Sequence, residues 1–264
     1  MNKNVMPASI DDFELLPVIR QVQPAIVIDW LHSGVEDAHR GGWASLFYGF
    51  VFTVIGLFIH IVYGEHYLLL AGLTTGFFLL GPFLAIGLYD LSRRMENGES
   101  PALMPTLTAW RANLTNIVMF TLLLLIVLLI WTWASFGIFS HFFNGALPTF
   151  TDIVLNVITL KQPLFTAIYF ITGGLFAAFV YAISVVAIPL MLDCKVSAST
   201  AAFVSLKTCV RNPGVMLLWA GCIVVLVGVG LATSFLGLFL FMPIVGHASW
   251  HVYRDLIDTS QLKS

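Results

Sequence analysis

The chain has 264 residues, of which 59% are hydrophobic and only 10% are charged. Soluble domains carry about a quarter charged residues, so this chain has too few charges to solvate a globular surface, and its mean hydropathy of +0.93 agrees. The formal net charge of −2 gives no overall basic field that would hold nucleic acid. The composition therefore predicts an integral membrane protein and excludes a nucleic-acid-binding one.

The first 42 residues are polar and mixed in charge, and the first apolar run begins only at Trp43. That is too late for a cleaved leader, so we expect the first span to act as the membrane signal. Residues 1–28 contain three prolines and no clear periodicity, which predicts a mobile cytoplasmic tail. We expect residues 257–264 to form a second, shorter cytoplasmic tail.

Several apolar stretches are long enough to cross a bilayer, because about 20 apolar residues cover its hydrocarbon layer. The last stretch exceeds one crossing and is expected to turn at Ala232-Thr233-Ser234. The predicted fold is an all-α polytopic bundle of six transmembrane helices, arranged as three hairpins within residues 29–256. The predicted spans cover residues 43–63, 67–89, 114–139, 164–192, 215–231 and 235–252.

The positions of Lys and Arg predict the orientation, because cytoplasmic loops of membrane proteins keep the excess of these residues. Eleven of the 12 lie in residues 1–42, in the loops 90–113 and 193–213, or after residue 253, all on one side of the predicted bundle. The other side holds only Lys161. Both termini are therefore expected in the cytoplasm.

A unit of interfacial helix, span, turn and proline-bearing span recurs three times. The short segments before the odd-numbered spans end at Arg40, Arg111 and Arg211, and the prolines of the even-numbered spans are Pro82, Pro189 and Pro243. Each proline leaves the carbonyl four residues earlier without its helical partner, so the helix can bend. We interpret this as helix shaping, the alternative being a cavity between three bent helices. Gly221, Gly228 and Gly230 in the fifth span indicate close helix contacts.

Chemical signatures are scarce. No acidic or basic side chain lies deep in a predicted span, which argues against an ion-coupled pump. The sequence has no Gly-rich phosphate loop, GxSxG elbow, HExxH motif or pair of carboxylates on a span, so we expect no enzyme activity. Cys194, Cys209 and Cys222 form no CxxC pair and are expected to be reduced thiols.

His247 and His251 are four residues apart at the cytoplasmic end of the sixth span, so one helix face carries both. Such a pair can bind a metal or face a haem, although no Glu or Cys completes a site nearby. We interpret both as anchors of the helix end, with ligation of haem or copper as the alternative. No cofactor is predicted.

Four strings of residues are distinctive. They are Asp29-Trp30-Leu31 with Gly34 and Asp37; Ala44-Ser45-Leu46-Phe47-Tyr48-Gly49; Gly81-Pro82-Phe83 with Tyr89-Asp90; and Gly246-His247-Ala248-Ser249-Trp250-His251-Val252-Tyr253-Arg254-Asp255. Through them residues 29–256 resemble a proteobacterial family of predicted integral membrane proteins, domain of unknown function 2189. The resemblance implies a bacterial inner-membrane protein and no established activity. Some relatives carry a label as cytochrome c oxidase subunit I-like. Such a subunit needs about twice as many spans, and it needs histidines buried at mid-depth, whereas the histidines of this sequence lie at or near the ends of the predicted spans.

The distinctive polar residues gather on the predicted cytoplasmic side, so we expect a non-catalytic accessory or scaffold protein whose partners are the bilayer and another membrane complex. One alternative is a permease for a small uncharged or lipid-like solute, and a second is haem or metal handling linked to a respiratory oxidase. Asp29, Asp37 and Asp90 are expected to pair with Arg40, Arg93, Arg254 and the two histidines. The candidate functional cluster comprises Asp29, Trp30, Asp37, Asp90, His247, His251, Tyr253, Arg254 and Asp255.

Overall fold

A computed structural model of the chain describes residues 16–63, 84–143, 159 and 161–262, and helices dominate this part. The helices are α1 (Ile26–Gly41), α2 (Trp43–Tyr63), α3 (84–96), α4 (Leu103–Thr106), α5 (Leu114–Phe142), α6 (Pro163–Ser184), α7 (Ala187–Asp193), α8 (Ala198–Arg211), α9 (Pro213–Ala232) and α10 (Leu238–Leu256). Short 3₁₀ helices cover Ala109–Asn113 and Ser260–Leu262, and two-residue strands β1 (Val18–Ile19) and β2 (Ile257–Asp258) pair in antiparallel register.

Three stretches of the described chain are long and apolar enough to cross a membrane: Leu103–Phe142, Pro163–Asp193 and Pro213–Ala232. A fourth arises if α1 and α2, which meet at 104°, are counted as one broken span. The predicted second span lies largely outside the described residues. The six spans, their hairpins and the position of the termini therefore stay predictions.

Helix α10 forms the centre of the described bundle and packs against α1, α2 and α9. Small residues allow the approach. A Cβ atom on Gly34 of α1 would lie 2.7 Å from the Cβ of Ala248, and one on Gly49 of α2 would overlap the carbonyl oxygen of Phe239. Glycine is therefore required at both contacts, and α1 lies flush against the polar half of α10.

Two of the three predicted helix-bending prolines lie in described helices. Pro189 follows a break between α6 and α7, where the hydroxyl of Ser205 accepts from the Val186 amide (3.3 Å) and donates to the Ala182 carbonyl (2.8 Å). Ser205 thus replaces the direct helical bond between these groups. Pro243 stays inside an unbroken α10, and the carbonyl of Phe239 that it frees faces Gly49 rather than a cavity. Pro82 lies outside the described residues.

The described part of the predicted N-terminal tail is anchored to the bundle. β1 pairs with β2, the amide of Arg20 donates to the Leu256 carbonyl at 2.8 Å, and the side chain of Asn212 bonds the backbone of Val22 and Arg20. Within the segment 1–28 that was expected to form a mobile tail, the backbone groups of the described residues therefore have partners at Asn212, on α10 and on β2.

Candidate functional site

A buried chain of hydrogen bonds connects α1, α2, α3 and α10. His247 on α10 is fully buried, and its Nε2 lies 2.8 Å from the Ser45 hydroxyl on α2. Its Nδ1 lies 2.7 Å from the Ser92 hydroxyl on α3, which donates to the Asp37 carboxylate on α1 at 2.7 Å. His251 Nε2 contacts the same carboxylate oxygen at 2.9 Å. We call these five residues, Asp37, Ser45, Ser92, His247 and His251, the serine–histidine cluster.

The direction of these bonds follows from the carboxylate at one end. Because Ser92 gives its only proton to Asp37, its oxygen must accept from Nδ1 of His247. Nε2 is then the acceptor for the Ser45 hydroxyl, so the ring is the neutral Nδ1–H form. Every polar atom of the buried ring has a partner, which removes most of the cost of burying it.

The carboxylate of Asp37 is held in its charged form. Burial alone would raise its pKa, but the hydrogen bonds from His251 and Ser92 outweigh burial and place the pKa below its ordinary value. Asp37 was expected to pair with the C-terminal histidines; in the structure its carboxylate contacts His251 directly and is linked to His247 through Ser92.

A second cluster, formed by Glu96, Asp193, Trp250, Tyr253 and Arg254, lies further along α10. The Glu96 carboxylate accepts from the Trp250 indole at 3.0 Å and from Arg254 Nε at 2.9 Å. The Tyr253 hydroxyl donates to Asp193 at 2.7 Å. Burial would lower the pKa of Arg254, but the hydrogen bond to Glu96 raises it above its ordinary value. We call this group the Glu96 cluster.

Two ion pairs and one hydrogen bond involve further residues of the predicted site. Asp90 is fully buried on α3 and is bracketed by Arg93 and Arg94, whose Nε atoms lie 3.0 and 2.9 Å from its two oxygens. Trp30 on α1 donates from its indole to Asp255 on α10 at 2.8 Å. Asp29 is exposed on α1.

Four residues of these clusters were not predicted: Ser45, Ser92, Glu96 and Asp193. A signal for two of them exists in α3, where Leu88, Ser92 and Glu96 recur every four residues and so share one helix face. In the structure Leu88 packs against Gly246, Ser92 bonds His247, and Glu96 bonds Trp250. The face of α3 thus follows α10 turn by turn.

The geometry bears on the alternative of metal or haem ligation. Both ring nitrogens of His247 are within hydrogen-bond distance of serine hydroxyls, and Nε2 of His251 is bonded to Asp37. Within the described ranges, no group of three or more His, Cys, Asp or Glu side chains is arranged to hold a metal ion. The three cysteines are free thiols.

Comparison with known proteins adds a family. Residues 69–193 match the family model "Predicted integral membrane protein (DUF2189)". The matched segment is just under half of the chain and includes Asp90, Ser92, Glu96 and Asp193, whereas α1, α2 and α10 lie outside it. No curated protein and no solved structure gives a significant match. The family is one of integral membrane proteins of unknown function, in agreement with the apolar helices.

Proposed function

We propose that this chain is a non-catalytic integral membrane protein that acts as an accessory or scaffold component of a larger membrane assembly. One observation carries the proposal: the polar side chains of the serine–histidine cluster bond to one another, and all of them except the partly exposed His251 are buried, with Ser45 and His247 at 0% exposure and Ser92 at 1%. Groups used in this way fix helices relative to one another. They are not presented to a substrate.

The pairing of Ser45 with His247 invites comparison with hydrolases, in which a histidine activates a serine nucleophile. In such enzymes a carboxylate bonds the second ring nitrogen, and the serine faces a substrate cleft. Here Ser92 stands between His247 and Asp37, and Ser45 has no exposed surface. These features favour a structural role for the pair.

The alternatives gain no support from the described residues. A permease was expected to use carbonyls freed by the prolines, but the Phe239 carbonyl is covered by Gly49. Haem or metal handling was expected to use His247 and His251. Both ring nitrogens of His247 and Nε2 of His251 are already hydrogen-bonded.

We further propose six spans with both termini in the cytoplasm of a bacterial inner membrane. The distribution of Lys and Arg supports this orientation, with 11 of the 12 on one predicted side. Both clusters then lie at the cytoplasmic end of the bundle.

The outward face of α1 would be the docking surface for a partner, because it exposes Ile28 (72%) and Val35 (51%) beside Asp29 and Glu36.

Deleting α1 would be an ambiguous test, since Gly34 and Trp30 bind it to α10. A double variant, Ile28→Ser with Val35→Ser, changes only exposed side chains. The matched control is Met104→Ser, which alters a residue that is 75% exposed elsewhere on the surface.

The experiment is affinity purification from native membranes followed by identification of the copurifying proteins. We expect defined membrane proteins with the wild type and the control, and their loss with the double variant at equal expression. Identical recovery from all three proteins, or none above a mock purification, would contradict a docking role for this face.

A further inference from the structure

An apolar groove runs along the exposed side of α9. Its lining includes Leu31 of α1 and, on α9, Gly214, Leu217, Gly221 and Val225. From Gly214 to Val225 the helix rises by roughly 16 Å, at about 1.5 Å per residue. One leaflet of a bilayer contributes about half of its roughly 30 Å hydrocarbon layer. The groove therefore has the length of one acyl chain in one leaflet.

Glycines open the groove. A Cβ atom on Gly214 or Gly221 would meet no other atom within 4 Å. The sequence had indicated close helix contacts at Gly221 and Gly228, but both face open space, and only Gly230 is close to another residue, Leu238. The floor of the groove is thus the backbone of α9 at its glycines, and a flexible apolar chain can lie against the helix there.

Basic residues precede the end of the groove at Gly214 along the chain. Helix α8 carries Lys207 and Arg211 and no acidic residue, and Arg211 is exposed three residues before Gly214. The same helix exposes Phe203 (52%) and Val210 (73%). An amphipathic helix with apolar and basic residues on its outer surface is typical of the membrane interface. We therefore expect Arg211 to lie at the depth of lipid headgroups.

We propose that this groove binds an anionic phospholipid, with one acyl chain along α9 and the phosphate at Arg211. The guanidinium group suits a phosphate because it donates in a planar fork, and basic residues at the cytoplasmic surface favour anionic lipids. The site differs from the surface of the scaffold role, since neither Ile28 nor Val35 lines the groove and none of the groove residues belongs to the serine–histidine or Glu96 cluster.

The chain offers a matched pair of variants for the test. Gly221→Leu places a side chain in the groove, and Gly228→Leu adds the same side chain two turns further along α9, outside the groove lining. Both positions are exposed and unobstructed, so both variants can fold. Arg211→Gln removes the cation and leaves the groove intact.

The measurement is native mass spectrometry of the full-length protein in nanodiscs with equal amounts of phosphatidylglycerol and phosphatidylcholine. We expect wild type and Gly228→Leu to retain phosphatidylglycerol after release, Gly221→Leu to lose it, and Arg211→Gln to retain about fivefold less. Equal retention by all four proteins, or equal retention of the two lipids by the wild type, would overturn the proposal. A change in oligomer mass specific to Gly221→Leu would assign the groove to a second copy instead and would also overturn it.

Discussion

His247 is a polar side chain buried in a bundle whose surroundings are largely apolar, and its neighbours determine whether it can stay there. Serine hydroxyls bond both sides of the ring, and the one from Ser92 relays the contact to Asp37. Ser92 therefore serves two groups at once. Its removal would leave both the imidazole and the carboxylate with one hydrogen bond fewer in a buried site.

Ser92→Ala tests this role. We expect the free energy of unfolding to fall by about 1–3 kcal/mol, the cost of leaving a buried polar group unsatisfied. Thermal unfolding in detergent is the measurement, with the exposed Ser100→Ala as the control, for which a change within about 0.5 kcal/mol is expected. Equal stability of the two variants would show that the hydroxyl of Ser92 contributes nothing in the fold.

Local pairings of the site are readable from sequence, and distant ones are not. Asp90 lies three and four residues before Arg93 and Arg94, so helical spacing alone brings them together. Glu96 and Arg254 are 158 residues apart, and their pairing depends on how α3 lies against α10. The spacing of the two histidines in α10 predicts that they share a face. It does not indicate that two serines on other helices form hydrogen bonds with the ring nitrogens of His247.

Among the helices, α10 is the element around which the described bundle is arranged. Its neighbours α1 and α2 approach through glycines, so their backbones and its own are closer than larger side chains would permit. The carbonyl of Phe239, which Pro243 leaves without a helical partner, is covered by the backbone of Gly49. The contact at Gly49 is thus expected to tolerate no additional atom.

Gly49→Ala should destabilise the protein by about 1–3 kcal/mol or more, because the added methyl group would overlap the Phe239 carbonyl oxygen. The control is Gly137→Ala in α5, where the added Cβ meets nothing within 4 Å. There the better helix propensity of alanine should leave stability unchanged or raise it. Unfolding midpoints in detergent distinguish the two, and a Gly49→Ala variant as stable as Gly137→Ala would contradict the packing argument.

Helix boundaries were predictable where hydrophobicity alone defines them. The span expected over 114–139 corresponds to α5 (Leu114–Phe142), and that over 215–231 to α9 (Pro213–Ala232), since an uninterrupted apolar run has one stable conformation in lipid. The break before Pro189 was not predicted as such, since it depends on the Ser205 hydroxyl supplied by α8. Nor was the strand pair near the ends, since β1 is only two residues long and needs β2 to exist.

At the scale of the whole molecule, the apolar composition indicates location in a membrane, whereas the charge distribution indicates the orientation. The apolar helices place the chain in a membrane, and the family match agrees. Orientation depends on Lys and Arg alone. Ser100, between α3 and α4, and Lys161, before α6, are both exposed and belong to opposite sides of the predicted bundle.

Single-cysteine variants test that arrangement. In a background with Cys194, Cys209 and Cys222 replaced by alanine, Ser100→Cys and Lys161→Cys each introduce one exposed thiol. We expect a membrane-impermeant maleimide to label the Lys161→Cys variant in intact spheroplasts and the Ser100→Cys variant only after the membrane is opened, because the cation-rich loops stay in the cytoplasm. Ser260→Cys should behave like Ser100→Cys, since Ser260 lies two residues after β2, which pairs with β1 shortly before α1 in the chain. Labelling of Ser100→Cys from outside would reverse the orientation, and a difference between Ser100→Cys and Ser260→Cys would mean that an odd number of spans separates them.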